Sequence, residues 1–479
     1  MRLAHLRIGN WCLLGVLATA GFLNTPGRAD DQGQPKCEAP GLLGLPRAEY
    51  QGRRAALMKR IKGVEADRPG PDRDPLIVLR GAAREDRQDY EQGRFRQSSP
   101  FAYLTGVDLP GASLLLRPNT GKATLYLPGP GHGDDSATAR NLDDGFANVA
   151  STDRFPGDVF TAIGEASEGQ NRSVVYLLDP EPKADSNSAN ARFARLIRAG
   201  AARAEFKDLA PALAAMRKAK SSEELRLIRQ AIAITEAAHK GVMRVVRPGL
   251  FEYQLEAKII GTFLDRGALR PAFASIVGSG PNAVIPHYFD NQRQVLDGDL
   301  VVVDIGAEFQ YYAADLTRTY PANGRFSPRQ REIYQLVLDT RADVASRMKP
   351  GETRLREVTG WAREFMSKSP LRAKGRDGKE QTMDHFFIHG LSHYLGLDVH
   401  DPGDVDEPIE VGEVFTIEPG IYLKGENIGI RIEDDYVMTK DGPELLSKGL
   451  PSDPDEIERR IKGCAGDVCP VREQSRTGD

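Results

Sequence analysis

Short apolar runs alternate with Gly-, Pro- and Asp-rich breaks from about residue 47 to 208, and apolar residues at helical spacing become prominent after 220. In the first stretch, residues 74–80, 112–117, 122–127 and 173–178 are β-rich runs bounded by turn formers, and 191–202 reads as a helix. Alternation of this kind predicts an α/β domain. Residues 128–144 are Gly- and Asp-rich and predict a surface loop. In the second stretch Ser221-Ser-Glu-Glu224 fits a capping box, after which Leu225, Ile228, Ala231 and Ile232 share one helical face. Further helices are predicted over 252–265, where Leu255, Ile259 and Phe263 recur, from Ser327 with Pro328 in the first turn, and over 354–366. Strand-like runs lie at 299–306, 312–319, 413–418 and 428–438. The pattern puts a boundary near 211–221, giving an α/β part over 45–210, an α+β part over 215–450 and a surface tail over 451–479.

Residues 1–29 follow a different pattern. Arg2 and Arg7 precede a short apolar run over 11–23, and small-residue cleavage sites follow at Ala18-Thr-Ala20 and Gly27-Arg-Ala29. This is the pattern of a secretory signal and predicts an exported protein, periplasmic or secreted, with an uncleaved anchor as the alternative. Loss of that segment would remove Cys12 and leave Cys37, Cys464 and Cys469 in an oxidising compartment. A structural disulfide is expected there, either Cys464 with Cys469 or one tying Cys37 to the C-terminal end.

Composition narrows the class. Hydrophobic residues make up 40% and charged residues 28%, enough for a packed core. Lys+Arg 64 against Asp+Glu 68 leaves a net charge of -4, which gives no reason to expect nucleic acid. No apolar run reaches the ~18 residues of a spanning helix, so no integral membrane span is expected after signal removal.

The candidate chemistry lies in acidic strands. Asp304 sits among valines in 299–306, and Asp315 follows in 313–320. Two strands joined by a turn around 308–310 would bring the two carboxylates face to face. A buried aspartate is costly unless paired or bound to a cation, and two together repel. Glu418 and Glu433 lie in similarly apolar runs, and His389, His393 and His400 fall close together in a chain with 8 His. Gly390 would allow a close backbone approach. One imidazole with four carboxylates suits two hard or borderline divalent ions, Mn²⁺ ahead of Co²⁺ or Zn²⁺.

These segments resemble the pita-bread metallopeptidases, and within them the bacterial Xaa-Pro aminopeptidases (aminopeptidase P). The resemblance runs from about 210 to 448. It rests on Ser275-Ile-Val-Gly-Ser-Gly280 leading to His287, on 299–304, on Asp315-Leu-Thr-Arg-Thr, on 389–401, on Glu418-Pro-Gly and on Arg431-Ile-Glu-Asp-Asp435. It implies an α+β pita-bread (creatinase/aminopeptidase) catalytic domain with metal ligands at Asp304, Asp315, His393, Glu418 and Glu433, unlike metal-free creatinase-type relatives. Residues 94–106 resemble the Ser/Asp-Phe-x-Tyr-x-Thr-Gly stretch of the same family, which implies a creatinase-like α/β N-terminal domain. The chain departs from the family after Leu127, where Pro-Gly-Pro-Gly-His-Gly-Asp-Asp stands in place of Glu-x-Trp-x-Gly-x-Arg. Its tryptophans are Trp11 and Trp361.

The resemblance also implies a mechanism. Two ions bridged by Asp315 and Glu433, with Asp304 on one and His393 and Glu418 on the other, would hold a hydroxide that attacks the first peptide carbonyl. Glu418 would shuttle its proton to the proline nitrogen. His287 and His400 would bind substrate and stabilise the oxyanion, His389 would shape the pocket, and Arg431 would orient the acidic shell from the strand face it shares with Glu433. The expected function is removal of the first residue from peptides with proline second, and a homo-oligomer is compatible with it. The alternatives are a prolidase restricted to Xaa-Pro dipeptides, against which Ser392 weighs, and a non-catalytic binding protein, against which the complete ligand set weighs.

Overall fold

β1 (Arg73–Arg80) is apolar on both faces and so can only be a central strand. Ile77 and Leu79 face one core with Leu57 and Ile61, from the helix Arg47–Ala66. Leu76 and Val78 face a second core with Phe155 and Val159, from the helix Phe155–Ala166. This computed structural model describes residues 43–68, 73–83, 94–128, 146–167 and 172–463. Residues 1–29, read above as a signal, residues 129–144 of the expected loop and all four cysteines lie outside the described residues.

The first part is a mixed six-stranded sheet. It adds β2 (Ser113–Arg117), β3 (Lys122–Leu127), β4 (Asn148–Ser151), β5 (Arg172–Leu177) and β6 (Glu205–Asp208), in the order β4-β3-β2-β1-β5-β6. β1–β5, β5–β6 and β3–β4 pair in parallel, and β1–β2 and β2–β3 antiparallel. The helix Ala189–Gly200 covers the second face through Phe193 and Ile197. The helix Arg47–Ala66 carries no clean apolar stripe because its inner face buries two arginines. Arg53 donates to the carbonyl of Tyr103 at 3.1 Å and pairs with Glu224 at 3.1 Å, and Arg54 donates to the carbonyl of Leu104 at 2.8 Å, so each buried guanidinium has a partner.

In the second part, β8 (Ile276–Ser279), β9 (Leu300–Ile305) and β12 (Leu316–Pro321) form an antiparallel sheet ordered β12-β9-β8. β7 (Arg270–Pro271), β10 (Ala307–Phe309) and β11 (Tyr312–Ala313) form a second sheet, whose β10 and β11 lie in the connection between β9 and β12. The predicted 312–319 strand is therefore two strands, and the turn lies at Gln310 and Tyr311, both at positive φ. β13 (Arg372–Lys374) pairs with β14 (Glu380–Thr382). β16 (Gly420–Leu423) pairs with β17 (Ile428–Arg431), and β15 (Val414–Ile417), β18 (Asp434–Thr439) and β19 (Gly442–Leu445) make a further sheet. The predicted 428–438 run breaks at Ile432 and Glu433 between β17 and β18.

Four helices of this part begin where the sequence signals them. Ser222–Val245 and Pro328–Arg347 each start with a full capping box, at Ser221 and Ser327, and Glu252–Asp265 and Leu355–Ser367 follow the predicted spans. The architecture is α/β in the first part and α+β in the second, as the sequence predicts. From Gly41 onward the chain is one compact unit, and the larger core runs without a break from Leu57 and Leu114 to Val303 and Phe415. Beyond Pro451 the chain is not the plain surface tail expected. Pro454–Lys462 is a helix that buries Ile457 and Ile461 against the helices Ser222–Val245 and Pro328–Arg347. Among the described residues no helix is long and apolar enough to cross a membrane.

Candidate metal centre

Asp304 is the acid in the otherwise apolar, fully buried β9, and it faces Thr317 of β12 and Ile276 of β8. Asp315 stands just before β12, where its backbone N–H donates to Asp435 Oδ2 at 3.1 Å. Glu433 occupies the break between β17 and β18. There it bridges to Thr317, whose hydroxyl donates to Glu433 Oε2 at 2.7 Å. Glu418 follows β15, and its N–H donates to the carbonyl of Leu391 at 2.9 Å. The N–H of Thr416 in turn donates to the carbonyl of His393 at 2.9 Å, so β15 carries the histidine segment alongside the acids.

His393 Nδ1 donates to the carbonyl of Tyr394 at 3.0 Å, which leaves the Nε2 lone pair free. That atom lies 3.4 Å from Asp315 Oδ2, 3.7 Å from Glu418 Oε1 and 3.9 Å from Glu433 Oε1. Burial, and then the charge of Glu433, push Asp315 and Glu418 well above the usual carboxylate range. Burial and then Asp304 push Glu433 up to about 7. Asp304 Oδ1 and Asp315 Oδ1 are buried with no hydrogen-bond donor. Orphaned carboxylate oxygens around an imidazole lone pair are the donor set of a hard or borderline divalent cation. Asp315, His393 and Glu433 each offer a ligand atom within 4.8 Å of the others, so these residues fit such an ion.

Arg431 ties this cluster to the cavity wall. Its Nη2 donates to Asp304 Oδ2 at 2.6 Å and its Nη1 to Tyr422 Oη at 2.8 Å. Tyr422 donates in turn to His389 Nε2 at 2.9 Å, while His389 Nδ1 donates to the carbonyl of Gly390 at 2.8 Å. Burial, with the Arg431 charge second, pushes His389 down to about 4, so its ring is neutral. The expectation that Arg431 acts from a strand face shared with Glu433 needs correction. Arg431 ends β17, Glu433 lies in the kink beyond it, and the guanidinium reaches across to Asp304. The reading of Gly390 is also corrected, because a Cβ there would meet nothing within 4 Å.

A cavity of about 450 Å³ opens above the cluster. The five predicted ligands, together with His287, His389, His400 and Arg431, all line it, so the structure brings every sequence-predicted site residue to one place. Phe273, Ile276, Phe289 and Val399 supply an apolar wall. The His400 ring stands edge-on to His393 at 4.4 Å, and burial pushes its pKa down. Three contributors escaped the sequence reading: Thr317, Tyr422 and Asp435. Thr317 was within reach, since Asp315, Thr317 and Thr319 alternate along one strand and put a polar face where a core strand should be apolar. Tyr422 gave no signal, because tyrosine is common in strands.

Residues 226–440 match metallopeptidase family M24, and residues 50–137 match the aminopeptidase P N-terminal domain. The chain is 34% identical over 450 residues to Xaa-Pro aminopeptidase of Escherichia coli (strain K12), covering 86% of this chain and 97% of that one. Among solved structures, proline aminopeptidase P II from Yersinia pestis superposes with a TM-score of 0.73 at 32% identity, covering 87% of this chain and 100% of that one. Zn-substituted E. coli aminopeptidase P in complex with product gives a TM-score of 0.74 at 32% identity, covering 88% and 99%.

Proposed function

Because this chain belongs to metallopeptidase family M24, in its aminopeptidase P type, we propose that it is an exported metallo-aminopeptidase that releases the first residue from peptides with proline second. The observation that carries this reading is the convergence of Asp315, Glu418 and Glu433 on His393 Nε2, beside Asp304, at the floor of a cavity with an apolar wall. Asp304, Asp315, His393, Glu418 and Glu433 would hold two divalent ions, Mn²⁺ ahead of Co²⁺ or Zn²⁺. Such ions supply Lewis acidity toward the scissile carbonyl and a nucleophilic water at neutral pH.

The remaining chemistry belongs to side chains. Glu418, with its raised proton affinity, is suited to take the proton of the attacking water and pass it to the proline nitrogen. His400 and His287 face the cavity and would donate to the substrate carbonyl as negative charge develops on it. The neutral ring of His389, pinned by Tyr422 and the Gly390 carbonyl, is a fixed piece of wall. Arg431 holds one oxygen of Asp304 and leaves the other free. A bond to proline is a tertiary amide with no N–H, so an apolar wall of Phe273, Phe289 and Val399 beside it leaves no donor unsatisfied.

The test is hydrolysis of Xaa-Pro-Yaa tripeptides by metal-stripped protein with and without added Mn²⁺, beside Xaa-Ala-Yaa peptides and an Xaa-Pro dipeptide. Metal-dependent release of the first residue from Xaa-Pro-Yaa alone is expected. Cleavage confined to the dipeptide would make it a prolidase, and no cleavage with metal bound would favour a binding protein. Export is inferred from residues 1–29. It is tested by sequencing the N-terminus of the mature chain, and a cytoplasmic protein that keeps Met1 or its leader would overturn it.

A further inference from the structure

Every described residue lining the cavity comes from the stretch 273–433, so the first part of the chain contributes no lining among the described residues. It is nevertheless bonded to the loop that carries His393 and His400. Ser99 Oγ donates to Asp398 Oδ1 at 2.6 Å. Arg96 Nη2 donates to the carbonyl of Leu397 at 2.7 Å, while its Nε engages Glu308. Arg217, in the helix Ala210–Arg217 between the two parts, gives one Nη2 to both Asp398 at 2.8 Å and Asp401 at 2.5 Å. Lys220 Nζ reaches the other oxygen of Asp401 at 3.2 Å. Arg217, Lys220 and Asp401 are all buried.

Asp401 passes this anchoring inward. Its Oδ1 accepts the Asp398 N–H at 3.2 Å, and its carboxylate fills the space against Gly396, where a Cβ would come within 2.6 Å. Its own N–H donates at 3.0 Å to the carbonyl of Tyr394, the carbonyl that also accepts from His393 Nδ1. His400 is its chain neighbour. One folded loop thus sets the ring orientation of His393 on one side and His400 on the other, and Arg217 outside the loop faces both of its carboxylates.

We infer that Arg217, supported by Arg96 and Ser99, is a positioning residue: its ion pairs with Asp398 and Asp401 lock the 394–401 loop and so set His400 and His393 for the reaction. The first part of the chain acts on catalysis through this loop. Its activity readout rests on the aminopeptidase reading, but its structural readout does not.

The experiment uses the full chain and four variants: Arg217→Met, Arg217→Lys, Ser99→Ala and His400→Ala, with the Arg217→Met/His400→Ala double. Amide hydrogen exchange over 394–401 should speed up at least about tenfold in Arg217→Met and less in Ser99→Ala, with the rest of the chain unchanged. With divalent metal saturating, kcat/KM on Xaa-Pro-Yaa should fall at least about tenfold in Arg217→Met, and Arg217→Lys should recover part of it. In the His400→Ala background the same substitution should cost less than in the parent protein, because the part of its effect that runs through His400 is already removed and only the part through His393 remains. Unchanged exchange over 394–401, or an equal loss in both backgrounds, would overturn the inference. If Arg217→Met does not fold, Ser99→Ala with and without His400→Ala makes the same comparison. A wild type that cleaves no Xaa-Pro-Yaa peptide would defeat the function reading instead, and the exchange result would still decide this one.

Discussion

Arg431 donates to Asp304 Oδ2 at 2.6 Å across the gap between β17 and β9, and Thr317, which faces Asp304 in the β9–β12 ladder, accepts from Arg431 Nε at 3.1 Å. This guanidinium is a counter-charge on the carboxylate cluster, and it is itself buried. Arg431→Met would leave Asp304 beside Glu433 with that pairing gone. Breaking a buried pair from one side costs about 3–5 kcal/mol, and the metal-free protein should lose stability of that order in urea denaturation. Arg431→Lys should recover little of it, since a single ammonium cannot serve Asp304, Tyr422, Thr317 and the Pro286 carbonyl together. An unchanged denaturation midpoint in Arg431→Met would count against this role.

The carboxylate cluster also fixes how metal-free protein responds to pH. Glu433 is pushed up to about 7, by burial first and Asp304 second, and Asp315 and Glu418 are raised well above the usual range, by burial first and Glu433 second. A raised carboxyl binds its proton more tightly folded than unfolded. Its stabilising contribution is therefore complete below an unfolded value of about 4 and is lost as pH rises through the folded one. For Glu433 that window runs from about 4 to about 7. The Tm of chelator-treated protein should fall across it. Saturating divalent ion should flatten or reverse the slope, because binding requires the same protons to leave. A metal-free Tm that rises from pH 5 to 7 would contradict this.

Thr317 serves two charged partners with one hydroxyl, donating to Glu433 Oε2 and accepting from Arg431 Nε. Thr317→Val keeps the shape and removes both bonds. The loss expected is about 1–3 kcal/mol, the cost of leaving charged buried groups short of a partner. Because Arg431 shares that hydroxyl, the costs of Thr317→Val and Arg431→Met should not add in a double-mutant cycle measured by denaturation. Strict additivity would place the hydroxyl outside the network.

The acids and histidines of the site were legible because each breaks a local rule. Asp304 is charged within an apolar strand, Glu418 and Glu433 repeat the offence, and three histidines crowd one loop. Capped helices were legible for the same local reason, and Ser221 and Ser327 mark their helices to the residue. What depended on distant partners was not. The inward arginines of Arg47–Ala66 make sense only beside the carbonyls of Tyr103 and Leu104. The reach of Arg431 to Asp304 depends on a break in the chain at Ile432 and Glu433 that the run of apolar residues hides. The small sheet of β7, β10 and β11 rests on very short pairings, too brief to leave a periodic signal.

Glycine gives the sharpest contrast between what a sequence suggests and what packing requires. Gly306 joins β9 to β10 just after Asp304, and a Cβ built there would lie 1.8 Å from the Ala314 carbonyl oxygen and 2.8 Å from the Phe273 ring. The nearer neighbour is backbone and cannot swing aside as a side chain can. Ala314 precedes Asp315, whose N–H is held by Asp435, and Phe273 forms part of the cavity wall. Gly306→Ala must therefore force β9 and the start of β12 apart, and it should move Asp304 relative to Asp315. A loss of about 2 kcal/mol or more is expected from the overpacking, with weaker divalent-ion binding by calorimetry. Gly390 is the control. It also lines the cavity, yet a Cβ there meets nothing within 4 Å, so Gly390→Ala should keep both stability and metal affinity close to the parent protein. If Gly306→Ala matched Gly390→Ala in Tm and in metal affinity, the close approach at Gly306 would not be what sets the spacing of the two aspartates.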